Sequence, residues 1–273
     1  MPLLLWIGLA AAVGGIASAA FAVLFLWVSE ARAARMLPHF VSFATGALIG
    51  AALLALLPEA MEGAGVAGAH AIGLTLVAGL GVFFVIEKLV LWWHTRSGDE
   101  ASGPAYAGHE HAGHGHAAHQ HGRDRASGVL VLIGDSIHNA LDGVLIAAAF
   151  LTDIPLGLVT TLAVAAHEVP HRVGDFAILV HAGFSRPRAL LLNLTTGLAS
   201  VGGALAAYYG LRGALAVLPY ALAFAAAGFL YIAVAGLIPG LHRSADPRTS
   251  AAQVSLIALG VAVIALAERL TRG

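Results

Sequence analysis

Two pairs of potential metal ligands lie in the middle of the chain, and the members of each pair are four residues apart. His138 and Asp142 form one pair within GDSIHNALDG, and His167 and His171 form the other within HEVPHRVGDF. Residues four apart lie on the same face of an α-helix. Two adjacent helices would therefore direct three imidazoles and one carboxylate toward a common point, a ligand set that suits zinc or another divalent first-row metal.

The residues beside these pairs extend the predicted site. Asn139 and Glu168 each follow a potential ligand by one position, which rotates them by about 100° around the helix axis. They are expected either to support the first metal position or to form a second one beside it, with Asp142 able to bridge both. Pro170 removes a backbone hydrogen bond from its helix, so it either opens space for an ion or simply bends a packed helix.

The composition of the chain indicates an integral membrane protein. Of its 273 residues, 59% are hydrophobic and only 11% are charged, whereas a soluble domain would carry about 25% charged residues. The chain has no cysteine, which excludes disulfides, iron–sulfur clusters and thiolate zinc sites, so its 14 histidines are the main source of metal ligands. The net charge of −1 gives no indication of nucleic-acid binding.

Eight apolar stretches are long enough to cross the hydrocarbon core, which needs about 20 residues of helix. They lie at about 3–28, 38–60, 70–93, 127–150, 156–181, 187–209, 214–239 and 251–268. The first stretch is too long for a signal peptide and no basic residue precedes it, so we expect it to be a membrane span. The fold class expected is an all-α integral membrane protein with eight transmembrane helices. It forms one membrane domain, with helices 1–3 in 1–93, a polar loop at 94–126 and helices 4–8 in 127–273.

The distribution of Lys and Arg predicts the orientation of these spans. With the N-terminus outside, the inside segments hold ten basic residues and the outside segments hold three, while Arg172 lies within a span. Basic residues favour the cytoplasmic side of a membrane. We therefore expect both termini outside and the 94–126 loop in the cytoplasm.

The polar loop contains six histidines in the sequence HEHAGHGHAAHQHG. They are His109, His111, His114, His116, His119 and His121. A Gly- and Ala-rich segment of this kind cannot build a core, so it is predicted to be disordered and to bind metal weakly at several histidines. The alternative is a flexible linker whose composition has no role in binding.

A zinc protease is the second interpretation of this sequence. Residues 167–171 have the H-E-x-x-H pattern, in which Glu168 would serve as a general base. Intramembrane zinc proteases combine this pattern with an Asn and an LDG segment in another span, and the chain contains Asn139 and Leu-Asp-Gly at 141–143. In those proteases the H-E-x-x-H span comes first, whereas here it follows the LDG span.

Over nearly its whole length, the chain resembles the ZIP (Zrt/Irt-like) metal-ion transporters, in their LIV-1-like branch. The matching segments are ATGALIGAALLALLPEA (44–60), FFVIEKLVLWWH (83–94), GDSIHNALDG (134–143), HEVPHRVGDFAIL (167–179), GFSRPRALLLN (183–193) and FAAAGFLYIAVAGLIP (224–239). The order of the HNxxDG and HExPH motifs in the fourth and fifth spans is the most specific feature of the resemblance.

The resemblance implies a transporter and not an enzyme. It implies a ZIP-type bundle in the plasma or inner membrane, often a homodimer, that moves a divalent ion toward the cytosol between the fourth and fifth spans. Zinc is the expected ion, with Fe²⁺, Mn²⁺, Cd²⁺ and Co²⁺ as further possibilities. Carried over by position, the primary site is His138, Asp142, His167 and His171, and the adjacent site is Asn139, Asp142 and Glu168.

The chain departs from the family pattern at three places. Arg172 stands where the branch usually has Glu, and a guanidinium near the ions could replace a second cation, so we expect a site closer to mononuclear than binuclear. The stretch 50–55 in the second span lacks the usual Asp and His. The stretch 235–240 in the seventh span lacks the usual Asp and Glu.

Overall fold

The computed structural model describes residues 2–18, 30–98, 117–242 and 246–272. Within those ranges the α-helices are α1 (Leu3–Ala12), α2 (Glu30–Gly50), α3 (Leu57–Gly98), α4 (Ala117–Thr152), α5 (Ile154–His181), α6 (Arg186–Leu211), α7 (Leu218–Tyr231), α8 (Ile238–Leu241) and α9 (Pro247–Arg272). No strand occurs in the ranges just given. The predicted all-helical class is therefore confirmed.

π-Helical turns connect several of these helices. One turn (Val13–Ala17) continues α1, a second (Ala51–Leu56) joins α2 to α3, and a third (Ile232–Leu237) joins α7 to α8. The second and third turns overlap with the stretches 50–55 and 235–240, in which the usual acidic and histidine residues of the resembled family are missing. Such turns interrupt regular helical hydrogen bonding and often occur near functional sites.

Five stretches of the described chain are long and apolar enough to cross a membrane. They are Arg35–Leu89, Val131–Thr152, Arg186–Leu211, Leu215–Leu241 and Pro247–Leu270, and Leu3–Ile16 is a shorter apolar helix. The first stretch has 55 residues, enough for two crossings of about 20 residues each, and Gly65 interrupts it with a φ of 64°. A multi-pass membrane protein is therefore confirmed, while eight crossings and outside termini stay predictions.

Helix α5 is absent from that set although it has 28 residues. Its C-terminal half contains the HEVPHRVGD sequence, whose charged and imidazole side chains lower the mean hydropathy of the helix. Polar groups at this depth require partners inside the protein. This helix thus carries two residues of the candidate site, His167 and Glu168, and the other two lie on α4.

Polar caps define where several helices begin. The Asp153 Oδ1 atom accepts a hydrogen bond from the Leu156 amide at 2.5 Å, and this starts α5 directly after α4. The Asp246 Oδ2 atom accepts one from the Thr249 amide at 2.9 Å, which holds the pKa of this exposed carboxyl below its ordinary value. Such caps satisfy amides that have no partner within the helix.

The helices pack as two groups. One group contains α1, α4, α5 and α6, and the other contains α2, α3, α7 and α9, with α5 also contacting α2 and α9. Small residues allow the close approach of α4 to α6. A Cβ atom at Gly143 would lie 1.8 Å from the Ser200 carbonyl oxygen, and one at Gly203 would lie 2.0 Å from the Ala140 carbonyl oxygen. This contact places α4 against α6 directly behind the site.

The polar segment at 94–126 differs from its prediction at both ends. Helix α3 continues to Gly98, and α4 begins at Ala117, before the expected start of the fourth span at 127. His119 and His121 therefore lie within α4 and not in a disordered loop. The other four histidines, His109, His111, His114 and His116, lie outside the described residues.

Candidate metal site

Four side chains from α4 and α5 converge on one point inside the protein. They are His138 and Asp142 from α4, and His167 and Glu168 from α5. One ligand atom from each residue can be chosen so that all four lie within 4.8 Å of one another, and we call this set the four-ligand cluster. Asp142, His167 and Glu168 are buried, while His138 is partly accessible.

Four of the distances in the four-ligand cluster are close to those around one metal ion, while the distance from His167 Nε2 to Glu168 Oε1 is longer at 3.9 Å. The Nε2 atoms of His138 and His167 are 3.3 Å apart, and the Nε2 atom of His167 is 3.2 Å from Asp142 Oδ2. The Nε2 atom of His138 is 3.5 Å from Glu168 Oε1 and 3.7 Å from Asp142 Oδ2. Ligand atoms around four-coordinate zinc, with bonds of about 2.0–2.1 Å, lie about 3.3 Å from one another.

Hydrogen bonding orients the lone pairs of the cluster toward the same point. The Nδ1 atom of His167 is 3.1 Å from the Ala163 carbonyl oxygen. A carbonyl can only accept, so Nδ1 carries the proton, and the Nε2 atom of the neutral ring presents a lone pair to the cluster. The buried Asp142 Oδ2 and Glu168 Oε1 atoms accept no hydrogen bond from the described residues. Converging acceptors without a donor fit a bound cation.

His171 lies beside the four-ligand cluster and not within it. Its ring centroid is 5.3 Å from that of His138 and 6.1 Å from that of His167. The ring lines a neighbouring cavity. The sequence places His171 in the primary site, whereas the structure puts Glu168 in the closest set and leaves His171 one turn further along α5.

Asn139 makes hydrogen bonds that turn it away from the cluster. Its Nδ2 atom donates to the Asp135 carbonyl oxygen at 2.8 Å and to Asp135 Oδ1 at 2.9 Å. Its Oδ1 atom accepts from Arg172 Nη2 at 2.5 Å. Both ends of the amide are therefore hydrogen-bonded. The sequence predicted Asn139 as a ligand of a second ion, whereas in the structure its side chain binds Arg172.

Arg172 is fully buried and lies between two carboxylates. Its Nη1 atom is 2.8 Å from Asp135 Oδ2, and its Nη2 atom is 2.9 Å from Glu168 Oε2. Because Glu168 is also in the four-ligand cluster, this guanidinium directly adjoins the place where a first ion would bind. Arg172 thus lies next to the four-ligand cluster, and a buried guanidinium needs such anionic partners.

Helix α6 completes the surroundings of Arg172, which the sequence analysis did not anticipate. The Nη1 atom of Arg172 donates to the Asn193 carbonyl oxygen at 3.0 Å, to Asn193 Oδ1 at 3.1 Å and to Thr196 Oγ1 at 2.5 Å. Asn193 Nδ2 in turn donates to the Arg172 carbonyl oxygen at 2.9 Å. An Asn within an apolar span is a signal that could have identified this contact.

A cavity of about 320 Å³ adjoins the cluster. Its polar lining consists of His138, His171, Asp135, Asp175, Glu87 and Tyr231. Tyr231 donates a short hydrogen bond to Glu87 across the boundary between α7 and α3. The lining residues of α3 lie between Phe83 and Glu87, toward the Gly98 end of that helix, and those of α4 lie between Val131 and Leu141, near its middle. The cavity therefore lies beside His138 and extends from it to α3 and α7.

Comparison with known proteins decides between the two interpretations of the sequence. The family model for the ZIP zinc transporter matches residues 3–268. The chain belongs to the ZIP zinc transporter family. Its resemblance to the LIV-1-like branch of ZIP transporters is likewise confirmed.

Individual ZIP relatives align with most of the chain. Zinc transporter ZIP13 of Pongo abelii is 35% identical over 245 residues, covering 84% of this chain and 66% of the relative. Zinc transporter ZIP13 of Mus musculus is 36% identical over 264 residues, covering 87% and 71%. Zinc transporter SLC39A7 of Mus musculus is 32% identical over 327 residues, covering 93% and 68%. ZIP proteins are transporters and not enzymes, so the zinc protease interpretation is not supported.

Proposed function

We propose that this ZIP protein transports zinc across a membrane through the four-ligand cluster between α4 and α5. The observation that carries the proposal is the buried convergence of two imidazole nitrogens and two carboxylate oxygens at distances suited to one ion. Family membership supports zinc as the transported ion. Imidazole and carboxylate also accept Fe²⁺, Mn²⁺, Cd²⁺ and Co²⁺, so these ions are possible additional substrates.

We infer that transport runs toward the cytosol in a plasma or inner membrane. The cavity beside His138 is lined by Phe83, Ile86 and Glu87, toward the Gly98 end of α3. The Lys and Arg distribution assigns that end to the cytoplasm. An ion would lose water at the outer side, bind the cluster with moderate affinity, and leave through the cavity, because conduction requires release as well as capture.

We further propose that the cluster holds one ion and not two. Asp142, Glu168 and Asp135 carry three negative charges when ionised, and Arg172 with one divalent cation supplies three positive charges. The guanidinium lies 2.9 Å from Glu168 and hydrogen-bonds to Asn139, so it occupies the region in which a second ion would bind. A structure with two fully occupied metals a few ångströms apart would contradict this proposal.

The remaining inferences from the resemblance are also proposals. We expect a homodimer, with six histidines between 109 and 121 binding metal weakly on the cytoplasmic side. The four-ligand cluster itself is built from His138, Asp142, His167 and Glu168. The full ligand set that we propose for the transported ion is His138, Asp142, His167 and Glu168, with His171 beside it and Asn139 acting through Arg172.

Zinc flux into proteoliposomes tests the proposed function. Wild-type protein should carry zinc inward, and His167→Ala should lower the initial rate by more than about a hundredfold, because loss of a direct ligand exceeds the 10–100-fold effect of its supporting groups. His70→Ala is the matched control, since His70 is exposed on α3, and it should retain the wild-type rate. Zinc binding without flux in the wild type would favour a storage or sensor protein.

A further inference from the structure

Three basic side chains lie on one face of α2, near the start of that helix. Arg32, Arg35 and His39 are spaced by three and four residues, which places them on the same side of an α-helix. All three residues are exposed. The His39 Nδ1 atom donates to the Arg35 carbonyl oxygen at 2.9 Å, so the imidazole is held against the helix. An imidazole is charged only when it is protonated, so the permanent charge of this face comes from the two guanidiniums.

These side chains border a groove of about 610 Å³, which we call the basic groove. The described residues that line it are Arg32, Arg35, Met36, His39 and Phe40. Met36 is apolar and yet 41% exposed. Cationic and apolar groups therefore meet in one concave surface, which shares no residue with the four-ligand cluster or with the lining of the cavity beside His138.

The basic groove crosses the expected boundary between lipid headgroups and hydrocarbon. The apolar stretch Arg35–Leu89 begins inside the groove. Arg32 precedes that stretch, whereas Met36 and Phe40 lie within its first turns. From Arg32 to Phe40 the helix rises by about 12 Å, and long basic side chains at the end of a span extend toward the headgroups. A molecule that fills this groove would need a polar, anionic end and an apolar end.

Helix α9 brings a further basic residue to the same end of the protein. A Cβ atom at Gly46 would lie 2.0 Å from the Ile257 carbonyl oxygen, and one at Gly50 would lie 3.3 Å from the Val261 Cα atom. These contacts advance by four residues on both helices, so α2 and α9 run in the same direction. Counting back about ten residues along each helix reaches the basic groove on α2 and the exposed Arg248 on α9.

We propose that the basic groove binds an anionic phospholipid. The guanidiniums of Arg32 and Arg35 would donate to the phosphate oxygens, and Met36 and Phe40 would contact the start of the acyl chains. Basic pockets beside membrane helices recognise anionic headgroups in this way. The Lys and Arg distribution, which predicts that this end faces the cytoplasm, fits the leaflet in which anionic lipids are enriched.

Lipid binding to the full chain in detergent tests this proposal. Native mass spectrometry should show that short-chain phosphatidylglycerol binds the wild type more tightly than short-chain phosphatidylcholine does. Arg32→Gln should weaken phosphatidylglycerol binding by about fivefold, and adding Arg35→Gln should weaken it by about 25-fold in total. Arg188→Gln is the matched control, because Arg188 is exposed and lies outside the groove. This variant should retain the wild-type affinity.

The outcomes separate a lipid site from general attraction to positive charge. Equal weakening by Arg188→Gln and Arg32→Gln, or equal affinity of the wild type for the two lipids, would overturn the proposal. Glycerol phosphate, which is the headgroup fragment without acyl chains, should compete poorly with phosphatidylglycerol. Full competition at equal concentration would instead indicate a site for free phosphate and would also overturn the proposal.

Ionic strength gives an independent readout on the same proteins. Binding of phosphatidylglycerol to the wild type should weaken as salt is raised, because exposed charges are screened within about 10 Å at 0.1 M salt. Arg32→Gln should lose part of this salt dependence, whereas Arg188→Gln should keep all of it. Arg32 is exposed and precedes the apolar stretch, so this single variant should fold even if the double variant does not. An unchanged salt dependence in Arg32→Gln would contradict the proposed contact with phosphate.

Discussion

The Nη2 atom of Arg172 lies 2.9 Å from the Oε2 atom of Glu168, one turn earlier on the same helix. The other oxygen of Glu168 lies 3.5 Å from His138 Nε2 in the four-ligand cluster. One carboxylate thus faces a permanent cation on one side and the proposed position of a transported cation on the other. Because Glu168 and Arg172 are buried and His138 is only partly accessible, solvent screening weakens these interactions little.

Arg172→Gln should destabilise the protein and increase the rise in melting temperature that added zinc causes. Removing the guanidinium leaves two buried carboxylates, Asp135 and Glu168, without a cation, and breaking a buried ion pair costs about 3–5 kcal/mol. A second zinc ion could then take its place, so added zinc should raise the melting temperature in detergent further than in the wild type.

Arg188→Gln is the matched control for that measurement, because Arg188 is exposed. Its melting temperature and zinc response should equal those of the wild type. Equal zinc stoichiometry and equal stabilisation in Arg172→Gln and the wild type would contradict the substitution of Arg172 for a second ion. Arg172→Glu should bind a second zinc ion more strongly still.

Zinc uptake should fall as the pH is lowered from about 7 to about 5, because free imidazole groups titrate near about 6.5. Protons compete with zinc for the Nε2 lone pairs of His138 and His167, so the affinity for zinc decreases as the pH decreases. The measurement is initial zinc uptake into proteoliposomes with equal pH on both sides. Liposomes that contain a zinc ionophore instead of the protein correct for the effect of pH on the zinc probe. Unchanged uptake down to about pH 5 would contradict this prediction.

Replacing all six histidines between 109 and 121 by alanine should lower the total amount of zinc that the protein binds at saturation. The initial rate of uptake should be unchanged, because the members of the four-ligand cluster and the described residues that line the cavity all lie outside 109–121. Equilibrium dialysis and proteoliposome flux measure the two quantities separately. A large loss of flux in this variant would show that the segment is required for transport.

Gly203→Ala should destabilise the contact between α4 and α6. A Cβ atom there would lie 2.0 Å from the Ala140 carbonyl oxygen, and overpacking of this kind costs about 1–3 kcal/mol. Gly202→Ala is the matched control on the same helix, where nothing lies within 4 Å of the added atom. It should be neutral or slightly stabilising, since Ala favours helices over Gly. Equal melting temperatures for the two variants would contradict the close approach of these helices.

The sequence by itself determined the helical membrane class, the family and most of the ligands in the candidate cluster. Hydrophobic length depends on composition alone, and four-residue spacing brings side chains to one face of any α-helix. His138 and Asp142 are therefore adjacent on α4 whatever the rest of the chain does. The comparison with the family pattern, and not the spacing, identified Arg172 as a departure at this site.

Only the tertiary structure decided which residue on each helix face reaches the cluster. The rotation of α5 against α4 brings Glu168 into the closest set and leaves His171 to the cavity. Likewise, Asn193 and Thr196 on α6 bind Arg172, and Arg172 in turn engages Asn139. These contacts depend on how three separate helices pack against one another. No local pattern specifies how a helix is rotated about its axis, because a rotation of a few tens of degrees leaves the spacing of residues along that helix unchanged.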